Sequence, residues 1–308
     1  MRTLLVASAG GHLDELVILA PTLGIDLERA LWVTSRSPQT ESLLAGKSVT
    51  WVPHVGSGEF VKALSRVPSA LRLHRRLRPE LVVSTGAAQA VPHLIAASTL
   101  GCRTTYVESA TRLHGPSRTG QVAARLPRAS LFAQGAGWGD RRWQSTPSVF
   151  DQFVVTPRTS QVGDPSSAVL SLGSERYPFG RAVSAVLAVL PPAAVTWQTG
   201  STVHALPDGS LLRQWVPADE LRAAFAAADV VVCHGGVGSV LAALGVGKVP
   251  VVLTRTATHG EHIDDHQVEI AEMLARRGLV VLADPDTLSS EHLRAAAALS
   301  VTRVVPGD

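Results

Sequence analysis

Short runs of apolar and β-branched residues alternate along this chain with longer stretches in which apolar residues recur every three or four positions. Near-continuous Val/Leu strands that alternate with helices predict parallel sheets covered on both faces. Eleven runs predict strands: TLLVAS, ALWVTS, VTWVPH, LVVST, TTYVES, LFAQ, AVLSLG, AVTWQTG, DVVVCH, VPVVLT and LVVLAD. The helical stretches include LDELVILAPTL, AVPHLIAASTLG, PFGRAVSAVLAVL, ADELRAAFAAA and HIDDHQVEIAEMLARRG.

The alternation pauses over residues 150–168, which are rich in Pro, Ser, Thr and Gly, and then restarts with a new strand. We therefore predict an α/β fold of two Rossmann-like, doubly wound domains, residues 1–160 and 161–308, with a cleft between them.

Composition and charge limit the classes of binding partner that this chain is expected to have. Hydrophobic residues make up 45% of the chain and charged residues 17%, so a packed core is expected. Cys102 and Cys233 are too far apart in sequence to indicate a disulfide framework or a zinc pattern, and they suit a reducing cytosol. Counted from Lys, Arg, Asp and Glu, the net charge is +8 for residues 1–160 and −5 for the rest of the chain. A basic first half indicates an anionic partner or a solvated basic face. Aromatic residues are only 5%, which disfavours nucleic acid.

Two segments bear on membranes. Residues 81–102 carry no charge, but polar residues, Gly and Pro interrupt them, so we predict a strand, a turn and a buried helix instead of a membrane span. Residues 60–80 place apolar residues at helical spacing among six Lys and Arg residues. This pattern predicts a basic amphipathic helix on an anionic membrane surface, or an ordinary helix that faces the core, with a break or a second start at Pro68. The first residues predict a strand, not a signal peptide.

Residues 231–247 predict a strand, a glycine-rich turn and a helix of small residues. Glycines let backbone N–H groups approach an anion, and the helix N-terminus adds its positive end, so the turn is typical of phosphate binding. The third glycine of a dinucleotide fingerprint is replaced by Leu241, which argues against NAD. A tight turn that only packs the helix on the strand is the alternative. The polar and glycine positions at this rim are His234, Gly235, Gly236, Gly238 and Ser239.

The first half repeats this arrangement, because three of its strands end in small or polar residues. Ligands of open α/β sheets bind at the carboxyl ends of strands, so this rim suits an anionic, hydroxylated ligand. A neutral His12 there could take a proton from an attacking hydroxyl, or could simply cap the turn. The rim residues are Ser8, Gly10, Gly11, His12, Ser84, Thr85, Gly86, Glu108, Ser109, Arg112, His114, Ser117 and Arg118.

The stretch HGEHIDDHQ, residues 259–267, has three readings. His262 and His266 are four apart, as in helical zinc sites, but Ile263 stands where the glutamate of that motif belongs. Asp264 and Asp265 suit the first turn of a helix, where carboxylates are stabilised by the helix dipole. Carboxylates and an amide that line a pocket also suit sugar hydroxyls, and we favour this third interpretation.

Several ordered motifs together resemble a known family. They are SAGGHLDEL, LWVTSR, RPELVVSTGAAQAVP, YVESATRLHGPSRTG, PFGRAV, WQTGST, WVPADELRAAFAAADVVVCHGGVGS and GEHIDDHQVEIAEMLARRG. The second half is similar to the catalytic subunit of the eukaryotic transferase that adds the second GlcNAc to dolichol-linked GlcNAc, and the first half to its membrane-recruiting partner. The chain resembles more closely the bacterial exopolysaccharide glycosyltransferases of the PssD/PssE type, fused in one chain, and more distantly MurG.

This resemblance implies a glycosyltransferase B fold and an inverting, metal-independent transfer from a UDP-sugar to a polyprenyl-pyrophosphate-linked sugar. It implies no cofactor beyond the UDP-sugar. His12 is the implied base and Glu108 a second candidate or an acceptor orienter; Ala242 stands where relatives often have a ribose-binding glutamate. Implied donor residues are Gln198, Thr199, Gly200, Ser201, His234, Gly235, Gly236, Gly238, Ser239, Asp265, His266 and Gln267. Implied acceptor residues are Ser8, Gly10, Gly11, Ser84, Thr85, Gly86, Arg112 and Arg118.

Such a chain is expected in the cytoplasm, peripheral at the inner face of the membrane, either through residues 60–80 or through a membrane-protein partner. Two alternatives stay open at this point. A UDP-sugar 2-epimerase would need no lipid acceptor, and a non-catalytic nucleotide-sugar-binding subunit would bind without turnover.

Overall fold

A computed structural model describes residues 1–56, 58–159, 163–173, 177–206, 208–261 and 266–304. The chain divides into two compact units, Met1–Val149 and Phe150–Asp308. Each unit contains its own parallel sheet, so the prediction of doubly wound α/β architecture is confirmed for both.

The sheet of the N-terminal unit has seven strands, all parallel, in the order β3-β2-β1-β4-β5-β6-β7. The direction of winding reverses between β1 and β4, the type of position where open α/β sheets bind ligands. The strands are Thr3–Ala7 (β1), Leu31–Thr34 (β2), Ser48–Trp51 (β3), Leu81–Gly86 (β4), Arg103–Val107 (β5), Ala129–Gln134 (β6) and Trp143–Thr146 (β7).

Helices cover both faces of this sheet and bury the apolar strand residues. Residues 81–102 fold as β4, a short 3₁₀ turn and a helix whose residues are mostly buried, as the sequence predicts. The helices are Gly11–Thr22 (α1), Pro38–Leu43 (α2), Phe60–Ser65 (α3), Val67–Leu77 (α4), Val91–Thr99 (α5) and Arg118–Ala124 (α6).

The basic segment 60–80 forms two helices, α3 and α4, which meet at Arg66. Pro68 occupies the first turn of α4, where a proline ring is tolerated, so the predicted second start is confirmed. Val61 and Leu64 on α3 are 85% and 51% exposed, which leaves an apolar edge beside the basic residues of α4.

The C-terminal unit contains a five-stranded parallel sheet in the order β10-β9-β11-β12-β13, and here the winding reverses between β9 and β11. Its strands are Ala168–Ser171 (β9), Val195–Gln198 (β10), Val230–His234 (β11), Val251–Leu253 (β12) and Val281–Ala283 (β13). Its helices are Gly180–Val189 (α7), Ala218–Ala227 (α8), Val237–Gly245 (α9), His266–Arg276 (α10) and Ser290–Ala297 (α11).

A separate two-stranded ribbon belongs to the same unit. Phe153–Pro157 (β8) pairs antiparallel with Leu299–Arg303 (β14), near the end of the chain. The sequence-based division at residue 160 separates these strands, whereas the compact units part between Val149 and Phe150. The pairing explains the difference, because it ties residues 153–157 to the C-terminal unit.

All eleven strands named from the sequence are present. The elements that the sequence did not indicate are β7, β8, β14, α2, α6 and α11. Within the described parts of the chain, every helix is too short or too polar to cross a bilayer.

Candidate functional site

Each sheet carries a histidine at the point where its winding reverses. His12 opens α1 directly after β1 and reaches the end of the neighbouring strand β4. His234 ends β11 and reaches the end of the neighbouring strand β9. In both, Nδ1 lies against a backbone carbonyl oxygen of that neighbour. The two units therefore repeat one local arrangement of a histidine and a backbone carbonyl group.

In the N-terminal unit, His12 and Thr85 are joined by two hydrogen bonds. His12 Nδ1 lies 2.9 Å from the Thr85 carbonyl oxygen, and the Thr85 hydroxyl donates to the His12 carbonyl oxygen over 2.6 Å. A carbonyl oxygen only accepts, so Nδ1 carries the hydrogen in the neutral ring. Nε2 is then the nitrogen that can accept a proton.

The surroundings of His12 favour this neutral form. Burial lowers the pKa of His12, the Thr85 bond opposes that effect, and the positive charge of Arg112 lowers the pKa further. A neutral imidazole near pH 7 with a fixed tautomer is the form that acts as a general base.

Glu108, directly after β5, is engaged through both carboxylate oxygens. Oε1 accepts from the Tyr106 hydroxyl at 3.0 Å and from the Ser109 N–H at 3.3 Å. Oε2 accepts from the N–H and the hydroxyl of Ser117, at 2.9 and 3.0 Å. The residue is 1% exposed, and burial raises its pKa. This carboxyl group fixes the 106–117 loop and faces protein donors.

A second buried carboxyl group, Glu15 on α1, was not among the residues predicted from the sequence. It accepts from the Ser109 hydroxyl at 2.6 Å, the Ala110 N–H at 3.0 Å and the Gln134 amide at 2.7 Å. Burial raises its pKa to about 7, with the nearby negative charge of Glu108 a smaller contribution. Glu15 is three residues after His12, so one helix face carries both; that spacing was the available signal.

The other predicted rim residues of this unit surround His12 or lie along the loop. Ser8 and Ser84 are buried, and the Gly86 N–H donates to Ser84 Oγ at 3.0 Å. A Cβ on Gly86 would lie 2.7 Å from the Tyr106 hydroxyl, which explains the glycine. Gly10 (φ 90°) precedes α1, and Gly11 is the first residue of that helix. Of the two arginines on the loop side, Arg112 is half-buried and Arg118 is exposed.

Ala87 has an unusual backbone beside this site, with φ 64° and ψ 167°. That region of φ/ψ space is essentially restricted to glycine and costs about 1–3 kcal/mol. The strain lies two residues after Thr85, at the start of the turn into α5.

In the C-terminal unit, glycines enclose the ring of His234. Its Nδ1 lies 3.3 Å from the Ser171 carbonyl oxygen, and the residue is 5% exposed. A Cβ on Gly236 would lie 2.2 Å from Nε2, and one on Gly173 would lie 2.4 Å from Cε1. Both positions therefore have to be glycine for the ring to stay where it is.

The glycine turn leads straight into α9, and none of the described side chains caps the N-terminus of this helix. The first N–H groups of a helix have no partner within the helix, so they offer donors to an anion. Gly238 and Ser239, both half-buried, belong to this first turn.

The strand end β10 supplies the predicted QTGS segment. Gln198 is buried, donates to Ser171 Oγ at 3.1 Å and accepts from the Val216 N–H at 3.3 Å. Thr199 is also buried and donates to the Thr202 carbonyl oxygen at 2.7 Å. A Cβ on Gly200 (φ 61°) would lie 2.4 Å from the Gly173 carbonyl oxygen, and Ser201 is half-buried. These contacts pack the loops after β9 and β10 together.

Only part of HGEHIDDHQ can be assessed. Residues 262–265, Asp265 included, and the side chain of His266 lie outside the described residues, so the metal and sugar interpretations of those side chains stay predictions. Gln267 is described: it is 8% exposed, and its buried Oε1 has no hydrogen-bond partner in the described part of the chain. A Cβ on Gly235 would lie 3.0 Å from the Gln267 carbonyl oxygen.

Glu261, which precedes that segment, is held by Arg181 of α7 through two hydrogen bonds of 3.0 Å. Asp284 and Asp286 contact the same guanidinium at 3.7 and 3.1 Å. Among the described side chains, no group of three His, Cys, Asp or Glu residues could hold a metal ion.

Residues 212–296 match the family model of the glycosyltransferase family 28 C-terminal domain. The matched segment includes β11, the glycine turn, α9 and α10, so His234 and Gln267 both lie within it.

Two bacterial relatives match longer parts of the chain. The UDP-N-acetylglucosamine–N-acetylmuramyl-(pentapeptide) pyrophosphoryl-undecaprenol N-acetylglucosamine transferase of Xylella fastidiosa is 29% identical over 241 residues, 73% of this chain and 64% of that protein. The Xanthomonas euvesicatoria protein of the same name is 27% identical over 308 residues, 92% of this chain and 69% of its own length. The chain thus spans just under two thirds of the Xylella relative.

A shorter match lies within a eukaryotic relative. The UDP-N-acetylglucosamine transferase subunit ALG13 of Yarrowia lipolytica is 44% identical over 71 residues, 23% of this chain and 34% of that protein. The chain is therefore similar both to these bacterial transferases and to this eukaryotic subunit.

Solved structures settle the fold. MurG of Acinetobacter baumannii has a TM-score of 0.55 at 18% identity, over 96% of this chain and 89% of that one. The glycosyltransferase SnogD from Streptomyces nogalater has a TM-score of 0.60 at 18% identity, over 96% and 91%. At such identity the likeness shows the fold alone, and it confirms the predicted glycosyltransferase B fold.

Proposed function

We propose that this chain is an inverting glycosyltransferase that moves a sugar from a UDP-sugar to a polyprenyl-pyrophosphate-linked sugar. The names of its relatives support this proposal, since they describe UDP-N-acetylglucosamine as donor and pyrophosphoryl-undecaprenol in the acceptor. The PssD/PssE-like motif order supports a role in cell-surface exopolysaccharide synthesis.

The observation that carries the proposal is the geometry of His12. Its Nδ1–H is fixed on the Thr85 carbonyl oxygen, and burial lowers its pKa, so Nε2 is unprotonated near pH 7 and can accept a proton. In the reaction, Nε2 takes the proton of the acceptor hydroxyl as its oxygen attacks the anomeric carbon, and the bond from that carbon to the UDP oxygen breaks. Attack from the opposite face inverts the anomeric configuration.

Glu108 and Glu15 have supporting roles in this proposal. Both carboxyl groups are 1% exposed and engaged by protein donors, so neither is placed to take a substrate proton. They hold the 106–117 loop, which carries Arg112 near His12, in the shape that receives the acceptor.

The leaving UDP requires stabilisation of developing negative charge. The uncapped N-terminus of α9 and the glycine turn before it supply backbone N–H groups and a helix dipole for the pyrophosphate. We propose that these groups act in place of a divalent ion. Gln267, whose buried amide oxygen has no partner among the described residues, would contact the donor sugar together with Asp265 and His266.

Meeting a lipid-linked acceptor requires contact with a membrane. We propose that the chain lies in the cytoplasm, peripheral at the membrane's inner face, where the exposed Val61 and Leu64 of α3 contact lipid beside the cations of α4. A membrane-protein partner would supply the same recruitment.

The test is a direct transfer assay. Purified chain is incubated with radiolabelled UDP-sugars and vesicles that contain polyprenyl-pyrophosphate-linked sugars, and the anomeric configuration of the product is determined by NMR. We expect transfer that survives EDTA and falls by about 10²-fold or more in His12→Ala, since general bases contribute about 10²–10⁴-fold. Unchanged turnover in His12→Ala would overturn the base assignment.

Two controls separate the outcomes. The exposed His54 lies in the same unit, so His54→Ala is expected to retain activity within twofold. Calorimetry of UDP with and without EDTA tests the donor site alone. UDP binding without transfer would point to a non-catalytic subunit, and a new sugar nucleotide formed from UDP-GlcNAc alone would point to an epimerase.

A further inference from the structure

The N-terminal unit contains a cavity of about 210 Å³ behind the basic helices α3 and α4. Its walls come from the segment after β3, from the junction of the two helices and from the start of α5. Val52, Val55 and Leu73 form an apolar part of the wall, and the exposed Ser69 stands at its mouth. Ligand sites for drug-sized molecules measure about 300–1,000 Å³, so this cavity suits a small headgroup.

Arg66 provides the cation of this cavity. The residue joins α3 to α4 and is half-buried, and its Nε is buried without a hydrogen-bond partner among the described residues. Leaving a buried charged donor unpaired is costly, so a binding partner for it would be expected. None of the described residues that line the cavity is acidic.

His93, which also lines the cavity, adds a second donor through its buried neighbour His74. His74 Nε2 lies 3.3 Å from His93 Nδ1. Burial lowers the pKa of His74 to about 4 and that of His93 to about 3, so both rings are neutral at pH 7. His74 Nδ1 is buried and has no hydrogen-bond partner among the described residues. A buried acceptor without a partner is more common than a buried N–H without one, so we assign the hydrogen of His74 to Nε2, which donates to His93 Nδ1. The hydrogen of the neutral His93 ring is then on its Nε2.

Gln89 supplies the third donor. Its Oε1 accepts from the Val55 N–H at 3.0 Å, which orients the amide and leaves the NH₂ group as the end that can meet a ligand. The polar wall of the cavity thus offers a guanidinium, an imidazole N–H and an amide NH₂. A set of donors with one positive charge is complementary to a phosphate oxygen cluster.

We infer that this cavity binds the phosphate headgroup of an anionic glycerophospholipid, with the first carbons of the lipid on Val52, Val55 and Leu73. The inference is independent of the proposed transferase chemistry. It also differs from a contact of α3 and α4 with the membrane surface, because such a contact needs only exposed charges and apolar residues. A free phosphate would leave the apolar wall unused, and a nucleotide sugar is too large for the volume.

The test is calorimetry of the full chain with dihexanoylphosphatidylglycerol below its micelle concentration, so that the lipid is monomeric. We expect saturable one-site binding, and binding of inorganic phosphate and of dihexanoylphosphatidylcholine that is at least tenfold weaker. Arg66→Gln is expected to weaken phosphatidylglycerol binding at least tenfold. Arg75→Gln removes an exposed charge from the same helix and is expected to change it less than twofold.

A second variant tests the cavity without altering the core. Ser69→Trp places a large side chain at the mouth, and at least tenfold weaker binding is expected, with an unchanged thermal unfolding midpoint. Three results would each overturn the inference: equal losses in Arg66→Gln and Arg75→Gln, inorganic phosphate that binds as tightly as the lipid, or no saturable binding. Because the readout is binding, a failed transfer assay would leave this result intact.

Discussion

His12 and Thr85 are joined in both directions: the ring of His12 lies 2.9 Å from the Thr85 carbonyl oxygen, and the Thr85 hydroxyl donates to the His12 carbonyl oxygen over 2.6 Å. The pair connects the first turn of α1 with the end of β4 across the reversal point of the sheet. The imidazole is thereby fixed in tautomer and in orientation before any substrate arrives.

The pH dependence of transfer should report this arrangement. The pKa of His12 is lowered from 6.5 by burial, so the base stays unprotonated to lower pH than an ordinary histidine. We expect kcat/KM to fall only below pH 6.5, with an acid limb that the residual activity of His12→Ala lacks. An acid limb centred above pH 7 would contradict the assignment.

Glu15 should make stability depend on pH. Its pKa is raised from 4.5 to about 7, so between these values the folded chain binds more protons than the unfolded chain, and stability falls as pH rises. In Glu15→Gln this loss disappears. The free energy of unfolding of the variant minus that of the wild type should rise by up to about 3 kcal/mol between pH 4.5 and 8.

Urea unfolding at several pH values measures this difference. The buried histidines titrate in both proteins, so their contribution cancels. Glu291→Gln alters an exposed carboxylate and should give a flat difference. A flat difference for Glu15→Gln as well would show that the buried carboxyl group is not protonated in this range.

Gly236→Ala should weaken the binding of UDP at the proposed donor site. The new Cβ would lie 2.2 Å from His234 Nε2, so either the ring or the glycine turn has to move. We expect UDP to bind at least tenfold more weakly by calorimetry. Gly245→Ala, at the other end of α9, meets nothing within 4 Å and should bind UDP normally. Equal affinities in both variants would mean that the turn does not hold the pyrophosphate.

Ala87→Gly should stabilise the chain. Relief of a strain of about 1–3 kcal/mol outweighs the entropy cost of glycine, about 0.5–1 kcal/mol. A rise of a few degrees in Tm is expected by calorimetry. Ala90→Gly, three residues on, replaces a fully buried alanine with ordinary φ and should lower Tm. A lower Tm in both variants would remove the evidence for strain at Ala87.

Loss of Arg181 should destabilise the C-terminal unit. Arg181→Met leaves the carboxylate of Glu261, 6% exposed, without its two guanidinium hydrogen bonds, and breaking such a pair costs about 3 kcal/mol. Arg294→Met breaks an exposed pair with Asp164 and should cost less than about 1 kcal/mol. Denaturant unfolding compares the two, and equal costs would contradict the special role of Arg181.

The sequence predicted the parallel sheets well, because each central strand is a short apolar run flanked by turn residues. It also placed His12 and Thr85 on the same rim, since both follow strands whose carboxyl ends share an edge. The edge strands β7, β8 and β14 were missed. β8 illustrates the cause: Val154 is 46% exposed, so the strand lacks the apolar run that marks a buried one.

The finer contacts of the site were beyond the sequence for another reason. The partners of His12 and His234 are carbonyl oxygens of Thr85 and Ser171, and every residue type has a backbone carbonyl. Glu15 has the same limit: its spacing from His12 places both residues on one helix face, but the spacing does not show whether that face is buried. Residue type reveals such a group only after packing has decided which side chains are buried.

The ribbon of β8 and β14 has a consequence for biosynthesis. All seven strands of the N-terminal sheet come from residues 3–146, so that sheet can assemble while the rest of the chain is still being made. β8 emerges from the ribosome early but pairs with Leu299–Arg303, more than 140 positions later. Until those residues emerge, β8 waits with its hydrogen-bonding edge unpaired, and chaperone binding during translation should concentrate on this segment.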